Sequence, residues 1–250
     1  MATKKLLRVE NLTKGHILHQ ISFDMKPGEM LAVMGPSGSG KSTLLYNVSG
    51  MDRPASGQVW LGDVEITKLS EDEKARLRLH RMGIVFQQMN MMANLNLLDN
   101  ILLPAVQANR GRDRKSKEEL TLRARALMEK LGITGLENRM ITQVSGGQLQ
   151  RACICRSMIN EPEILFADEP TGALNKSAAG EVMEELAKLN REGTTILLVT
   201  HDSRVASRCD RIIYLLDGQI STQLTLGKSR AGTEKQREEK VATWLMEMGW

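Results

Sequence analysis

The spacing of apolar residues changes several times along the chain, and each change marks an element. Residues 6–12 and 18–25 read as two strands joined by a short turn at Gly15, and Pro27-Gly28 is a turn that closes the pair. Residues 30–34 form a short apolar run with no helical period, suited to a buried strand. A glycine-rich loop follows and leads into a helical run over 42–48. Residues 58–61 and the segment ending at Gln87 again read as strands, with a charged helical stretch over 71–79 between them.

The middle of the chain has a different character. From about residue 90 to 160, β-branched residues are sparse, and Leu, Met, Arg and Glu dominate. Leu120, Ala124, Leu127, Met128 and Leu131 recur at helical spacing, the pattern of a packed helix face. This stretch reads as a mostly helical insert. Alternation then resumes, with a strand over 164–167, a helix over 178–190, a strand over 194–199, and a closing pair over 211–216 and 219–222 around Asp217-Gly218. Such alternation predicts an α/β fold, a sheet sandwiched by helices, with antiparallel strands attached at one side. Residues 228–237 are polar and read as a linker. Val241, Trp244, Leu245 and Met248 mark one face of a short helix that docks on the body or touches a partner.

The loop after the third strand carries the clearest chemistry. Gly35-Pro36-Ser37-Gly38-Ser39-Gly40-Lys41-Ser42 matches the full phosphate-loop pattern and sits between an apolar strand and a helix, where that pattern must sit. Its glycines let backbone N–H groups turn inward onto phosphate, and the helix start adds its dipole. Lys41 is expected on the β- and γ-phosphates and the Ser42 hydroxyl on Mg²⁺. The strand over 164–167 runs into Asp168 and Glu169. Asp168 is placed for the Mg²⁺ shell, through water or directly. Glu169, on the other side of the strand, is the candidate base for an attacking water. His201 follows the strand over 194–199, and an imidazole there can contact the γ-phosphate, donating one hydrogen bond and accepting another.

Composition adds limits. A chain of 250 residues buries one sizeable core, or one with a smaller satellite. The net charge of +4, and eight Lys or Arg against four acids between residues 110 and 130, fit a solvated helix face and give little ground for a nucleic-acid partner. Cys153, Cys155 and Cys209 have no histidine cluster around them and are odd in number, which points to buried thiols in a reducing compartment. The basic start, Met1-Ala2-Thr3-Lys4-Lys5, precedes no apolar run suited to an export signal, and none of the apolar stretches approaches the roughly 20 residues of a membrane span. Work at a membrane would require a partner.

Val144-Ser145-Gly146-Gly147-Gln148, followed by residues 164–169 at the expected spacing, resembles the signature of ATP-binding-cassette (ABC) ATPases. The order of phosphate loop, Gln87, signature, Asp168-Glu169, Thr171–Asn175 and His201 is similar too, and the likeness covers about residues 4–222. The resemblance implies a P-loop NTPase core of ABC type with an antiparallel β subdomain and a helical insert over about 90–160. One nucleotide-binding domain would span 1–227, with a linker and short amphipathic helix over 228–250. It implies ATP and Mg²⁺ as cofactors and a head-to-tail pair of copies with two ATP molecules between them. Each site would take Lys41, Ser42, Thr43, Gln87, Asp168, Glu169 and His201 from one copy and Ser145, Gly146, Gly147 and Gln148 from the other. Gln87 would contact the Mg²⁺ region and report its state to a membrane permease. Three positions depart from the family pattern: His16 falls near the place of the aromatic that stacks on adenine, Asn175 replaces an aspartate, and Leu149 replaces a polar residue.

Residues 89–104 and 166–173 resemble the ATPases of lipoprotein-release, macrolide-efflux and cell-division complexes, and the end of the likeness, Asp217-Gly218-Gln219-Ile220 with Thr222-Gln223-Leu224, resembles the bacitracin- and lantibiotic-resistance type. That resemblance implies a permease with a large extracellular domain, in some cases a sensor kinase, a place at the cytoplasmic face of the membrane, and export of or resistance to peptide antibiotics. A chromosome- or DNA-repair-associated ATPase is the alternative from another class, although no long heptad pattern interrupts the chain.

Overall fold

The computed structural model describes residues 5–110, 115–230 and 232–248. Residues 1–4, most of the basic start, lie outside that range, as do residues 111–114 within the basic stretch. Two compact units emerge: residues up to Lys74 together with those from Ala187 on, and Ala75–Leu186.

In the first unit, β1 (Leu7–Lys14) pairs antiparallel with β2 (Leu18–Met25) on one side and β4 (Ser56–Leu61) on the other, and β5 (Val64–Glu65) completes a four-stranded sheet in the order β2-β1-β4-β5. Leu7, Val9, Val59 and Leu61 are buried on one face, as the period of two requires. On the other face Arg8, opposite Trp60, lies 4.7 Å from its ring centroid, a cross-strand cation–π pair. β1 outruns its expected end because it bulges: Asn11 has φ 49°, and a Cβ on Gly57 would come within 2.5 Å of the Asn11 carbonyl.

β3 (Met30–Met34) is buried at all five positions. It pairs parallel with β8 (Thr195–Val199) and with β9 (Arg211–Leu216), and β10 (Gln219–Thr225) returns antiparallel to β9. α1 (Lys41–Val48) follows β3, and α7 (Ser203–Ala206) follows β8. The Asp217-Gly218 turn uses positive φ at both residues, 47° and 72°, as a tight hairpin turn demands.

In the second unit, β6 (Met82–Val85) pairs parallel with β7 (Ile164–Asp168). α3 (Leu97–Ala108), α4 (Lys117–Lys130) and α5 (Gly146–Met158) pack on one another, with Leu120, Ala124 and Met128 of α4 turned into the contact. Ser116 and Glu119 start α4 with a reciprocal capping box. The chain passes between the two units inside α2 (Glu71–Arg81) and α6 (Lys176–Arg191). The parallel pairs, the antiparallel attachments and the helices between and beside them make the expected α/β fold, with helices where the insert was read.

The polar stretch 228–237 contains the start of a helix, α8 (Glu234–Glu247). The reason is Arg237, which is buried and donates to the carbonyls of Ser207, Cys209, Leu226 and Gly227 at 2.6–3.2 Å. Val241 and Leu245 are buried one and two turns on, and Trp244 meets Tyr214 edge-on at 6.1 Å, so α8 docks within its own unit. Replacing Arg237 with methionine keeps an aliphatic stem but strips donors from four carbonyls. Urea unfolding should show a loss of about 2–3 kcal/mol.

Candidate nucleotide site

The phosphate loop lies in the first unit and is shaped by contacts that only glycine permits. Gly35 has φ 152°, and a Cβ there would sit 2.0 Å from the Leu215 carbonyl oxygen. Gly40 has φ 98°, and a Cβ there would meet Leu18 Cδ2 at 2.8 Å and the Ile17 carbonyl at 3.1 Å. Lys41 folds back so that its ammonium donates to the carbonyls of Gly35 and Pro36 at 2.9 and 2.8 Å. Gly40 is the N-cap of α1, and among the described residues no side chain caps that helix. Among the described residues, Ser39 Oγ is buried with no hydrogen-bond partner, an exception that a loop ligand would explain.

The two histidines assigned from the sequence belong to the same unit. His16 is exposed on the turn between β1 and β2, and the neighbouring Ile17 carbonyl is the one that crowds Gly40. His201 is exposed at the end of β8. Val33 and Val199 are paired in the parallel register, so Gly35 and His201 each lie two residues beyond that pair, at the same sheet end. Thr200 anchors this end: its N–H donates to the Val33 carbonyl at 3.1 Å, and its hydroxyl accepts from the Asp202 N–H at 3.0 Å. Asp202 caps α7 and pairs with Arg204. Burial by itself would raise the Asp202 pKa, but the bonds and charge of Arg204 outweigh it and hold the carboxyl below its usual value.

The remaining candidates lie in the second unit. Asp168 ends β7 and is buried, while Glu169 is half-buried with φ 47°, a left-handed conformation that a glutamate seldom adopts. A turn fixes it: the Gly172 N–H donates to the Glu169 carbonyl at 3.0 Å. Gln87 is exposed in the loop after β6. Ser145 caps α5 by accepting from the Gln148 N–H at 3.2 Å, and Gln148 Oε1 accepts from the Ser145 N–H at 2.8 Å. The Gln148 side chain therefore shapes the helix start. Packing needs Gly147, where a Cβ would stand 3.0 Å from Ala178 Cβ, whereas at Gly146 a Cβ would meet only the flexible end of Leu174, with Cδ2 at 3.3 Å. Asn175 accepts from the Ala178 N–H at 2.9 Å and so starts α6, a role that its place before a helix made readable.

The donor chemistry fits a magnesium nucleotide. Ser42 and Asp168 offer hard oxygen ligands, and Mg²⁺ carried by phosphates needs only one or two protein oxygens. Among the described residues no cluster of three or more His, Cys, Asp or Glu side chains could hold a metal ion.

A family profile described as ABC transporter matches residues 18–172. The macrolide export ATP-binding/permease protein MacB of Agrobacterium fabrum is 36% identical over 251 residues, covering 97% of this chain. The chain spans only 38% of that relative's length. An uncharacterized ABC transporter ATP-binding protein of Bacillus subtilis, YknY, is 41% identical over 204 residues, covering 82% of this chain and 86% of its own length. Among solved structures, the dimeric bacterial ABC transporter cassette MJ0796 superposes with a TM-score of 0.81 at 37% identity, covering 89% of this chain and all of its own. The same cassette has been solved as a dimer in a post-hydrolysis state bound to ADP and Pi, at 36% identity to this chain.

Proposed function

Because the chain belongs to the ABC transporter family and is an ATP-hydrolysing domain, we propose that it pairs head to tail with a second copy and powers a membrane permease, whether that permease is joined to it or separate. The observation that carries this reading is the loop at Gly35–Lys41, which excludes side chains at Gly35 and Gly40 and turns the Lys41 ammonium inward. Loop N–H groups and Lys41 would hold the phosphates, and Ser42 and Asp168 would hold Mg²⁺, which would supply charge neutralisation at the transferring phosphoryl group. Gln87 attends the metal, and His201 orients the terminal phosphate. Glu169 accepts the proton of the attacking water. Ser145, Gly146 and Gly147 of the second copy cap the phosphates with the start of α5. His16 stacks on adenine.

On this reading the chain sits at the cytoplasmic face through its permease; no described helix is long and apolar enough to cross a membrane. The cargo read from the sequence is a peptide antibiotic of the bacitracin or lantibiotic kind, with a permease bearing a large extracellular domain and, in some systems, a sensor kinase. A second reading, macrolide export, is favoured by the macrolide export proteins among its relatives. The chain should co-purify with its permease, and ATPase activity should rise about threefold or more in the complex. Cells carrying both should survive bacitracin and gain nothing against a macrolide. The reverse pattern selects the second reading, and ATPase activity stimulated by DNA in place of a permease overturns both.

A further inference from the structure

α5 begins with the signature glycines and ends in a cluster of side chains that grip the loop carrying Gln87. Arg156 donates from Nη1 to the Asn90 carbonyl at 2.7 Å and from Nη2 to the Met89 carbonyl at 3.0 Å. The Cys153 thiol donates to the same Met89 oxygen at 3.3 Å. Ser157 donates to the Ile84 carbonyl at 2.7 Å, tying the same helix to β6 just before the loop. Burial pushes the Cys153 thiol up to about 11, so it stays protonated and able to donate. Asn90 has φ 47°, a sharp bend that turns consecutive carbonyls toward one guanidinium.

Two features separate this grip from ordinary helix packing. Among the described residues no carboxylate pairs with Arg156, so its charge is committed to backbone carbonyls. The planar fork of arginine also holds two oxygens at fixed separation, which a lysine ammonium cannot do.

We propose that Arg156 is a positioning residue for Gln87: it fastens the Gln87 loop to α5, so that a displacement of Ser145-Gly146-Gly147 is carried to Gln87. An α-helix is stiff over this length, about 16 Å from signature to Arg156. A partner's nucleotide bound at the start of α5 therefore acts on Gln87 of the same chain. The inference rests on the reading that Gln87 attends Mg²⁺.

The test compares Arg156→Ala, Arg156→Lys, Gln87→Ala and the double variant Gln87→Ala/Arg156→Ala with the native chain. In nucleotide-free protein, hydrogen exchange at residues 87–92 should speed up about tenfold in Arg156→Ala, with Arg156→Lys between and the amides of β7 unchanged. With a fluorescent ATP analogue, the Mg²⁺ concentration for half-maximal binding should rise about tenfold in Arg156→Ala and in Gln87→Ala. In the double variant it should rise no further than in Gln87→Ala, because Arg156 acts through Gln87. Additive shifts, unchanged exchange at 87–92, or faster exchange throughout the unit would overturn the inference. If Gln87→Ala leaves the Mg²⁺ dependence unchanged, the role of Gln87 fails, and this inference with it. If Gln87→Ala shifts it and Arg156→Ala does not, the inference alone fails.

Discussion

Glu169→Gln should lower ATP turnover about a thousandfold, within the range lost when a general base is removed, while ATP binding and pairing persist. Glutamine keeps the shape of the side chain and can still hydrogen-bond a water, but it cannot take the water's proton. Asp168, the proposed Mg²⁺ ligand, remains in place at the buried end of β7. The loss corresponds to about 4 kcal/mol of transition-state stabilisation. Phosphate release measures the turnover, and size-exclusion chromatography with MgATP should show pairs accumulating, because hydrolysis no longer resets them. The left-handed backbone of Glu169 sharpens the expectation, since strain of this kind persists where surrounding structure holds a side chain in a required direction. Turnover within about threefold of the native chain would move the base to another residue.

The parts of this protein that are legible in its sequence are those whose cause is local. The run 30–34 has no helical period and is wholly buried, and the glycines that follow are fixed by backbone geometry and close approach at Gly35 and Gly40. The helix face of Leu120, Ala124, Leu127, Met128 and Leu131 reads directly from its spacing; four are buried and Leu127 is half-buried. What escapes has a cause elsewhere in the fold. Residues 228–237 look like a linker by composition, but Arg237 finds four carbonyls supplied by residues 207–227. The extension of β1 depends on a bulge set against Gly57. Gln148, which the resemblance places on nucleotide, also closes a capping box on Ser145, a local pairing that its spacing carries. Asn175 carries no charge but supplies the oxygen that starts α6, a helix cap that aspartate serves equally well in general.

Head-to-tail pairing makes a prediction that no single-chain site can satisfy. Lys41→Ala removes the ammonium held over the phosphate loop. Gly146→Asp places a carboxylate in the first turn of α5, where the dipole of its own helix favours it and the Cβ meets only the flexible end of Leu174. The fold is therefore kept, but the carboxylate opposes the partner's phosphates. Each variant alone is defective at both sites of its pair. In a mixed pair the defects segregate: one site carries both substitutions and the other carries neither, because Lys41 and Gly146 of one chain serve different sites. Equal mixing and exchange gives mixed pairs in about half of all pairs, each with one intact site, so about a quarter of native sites should return. Fluorescent ATP analogue trapped per pair reads the sites directly, and phosphate release reads whether one intact site turns over by itself. If mixing restores neither trapping nor turnover, Lys41 and Gly146 do not meet across a pair. If trapping returns without turnover, the geometry stands and the two sites must be filled together for either to fire, which makes hydrolysis a property of the pair.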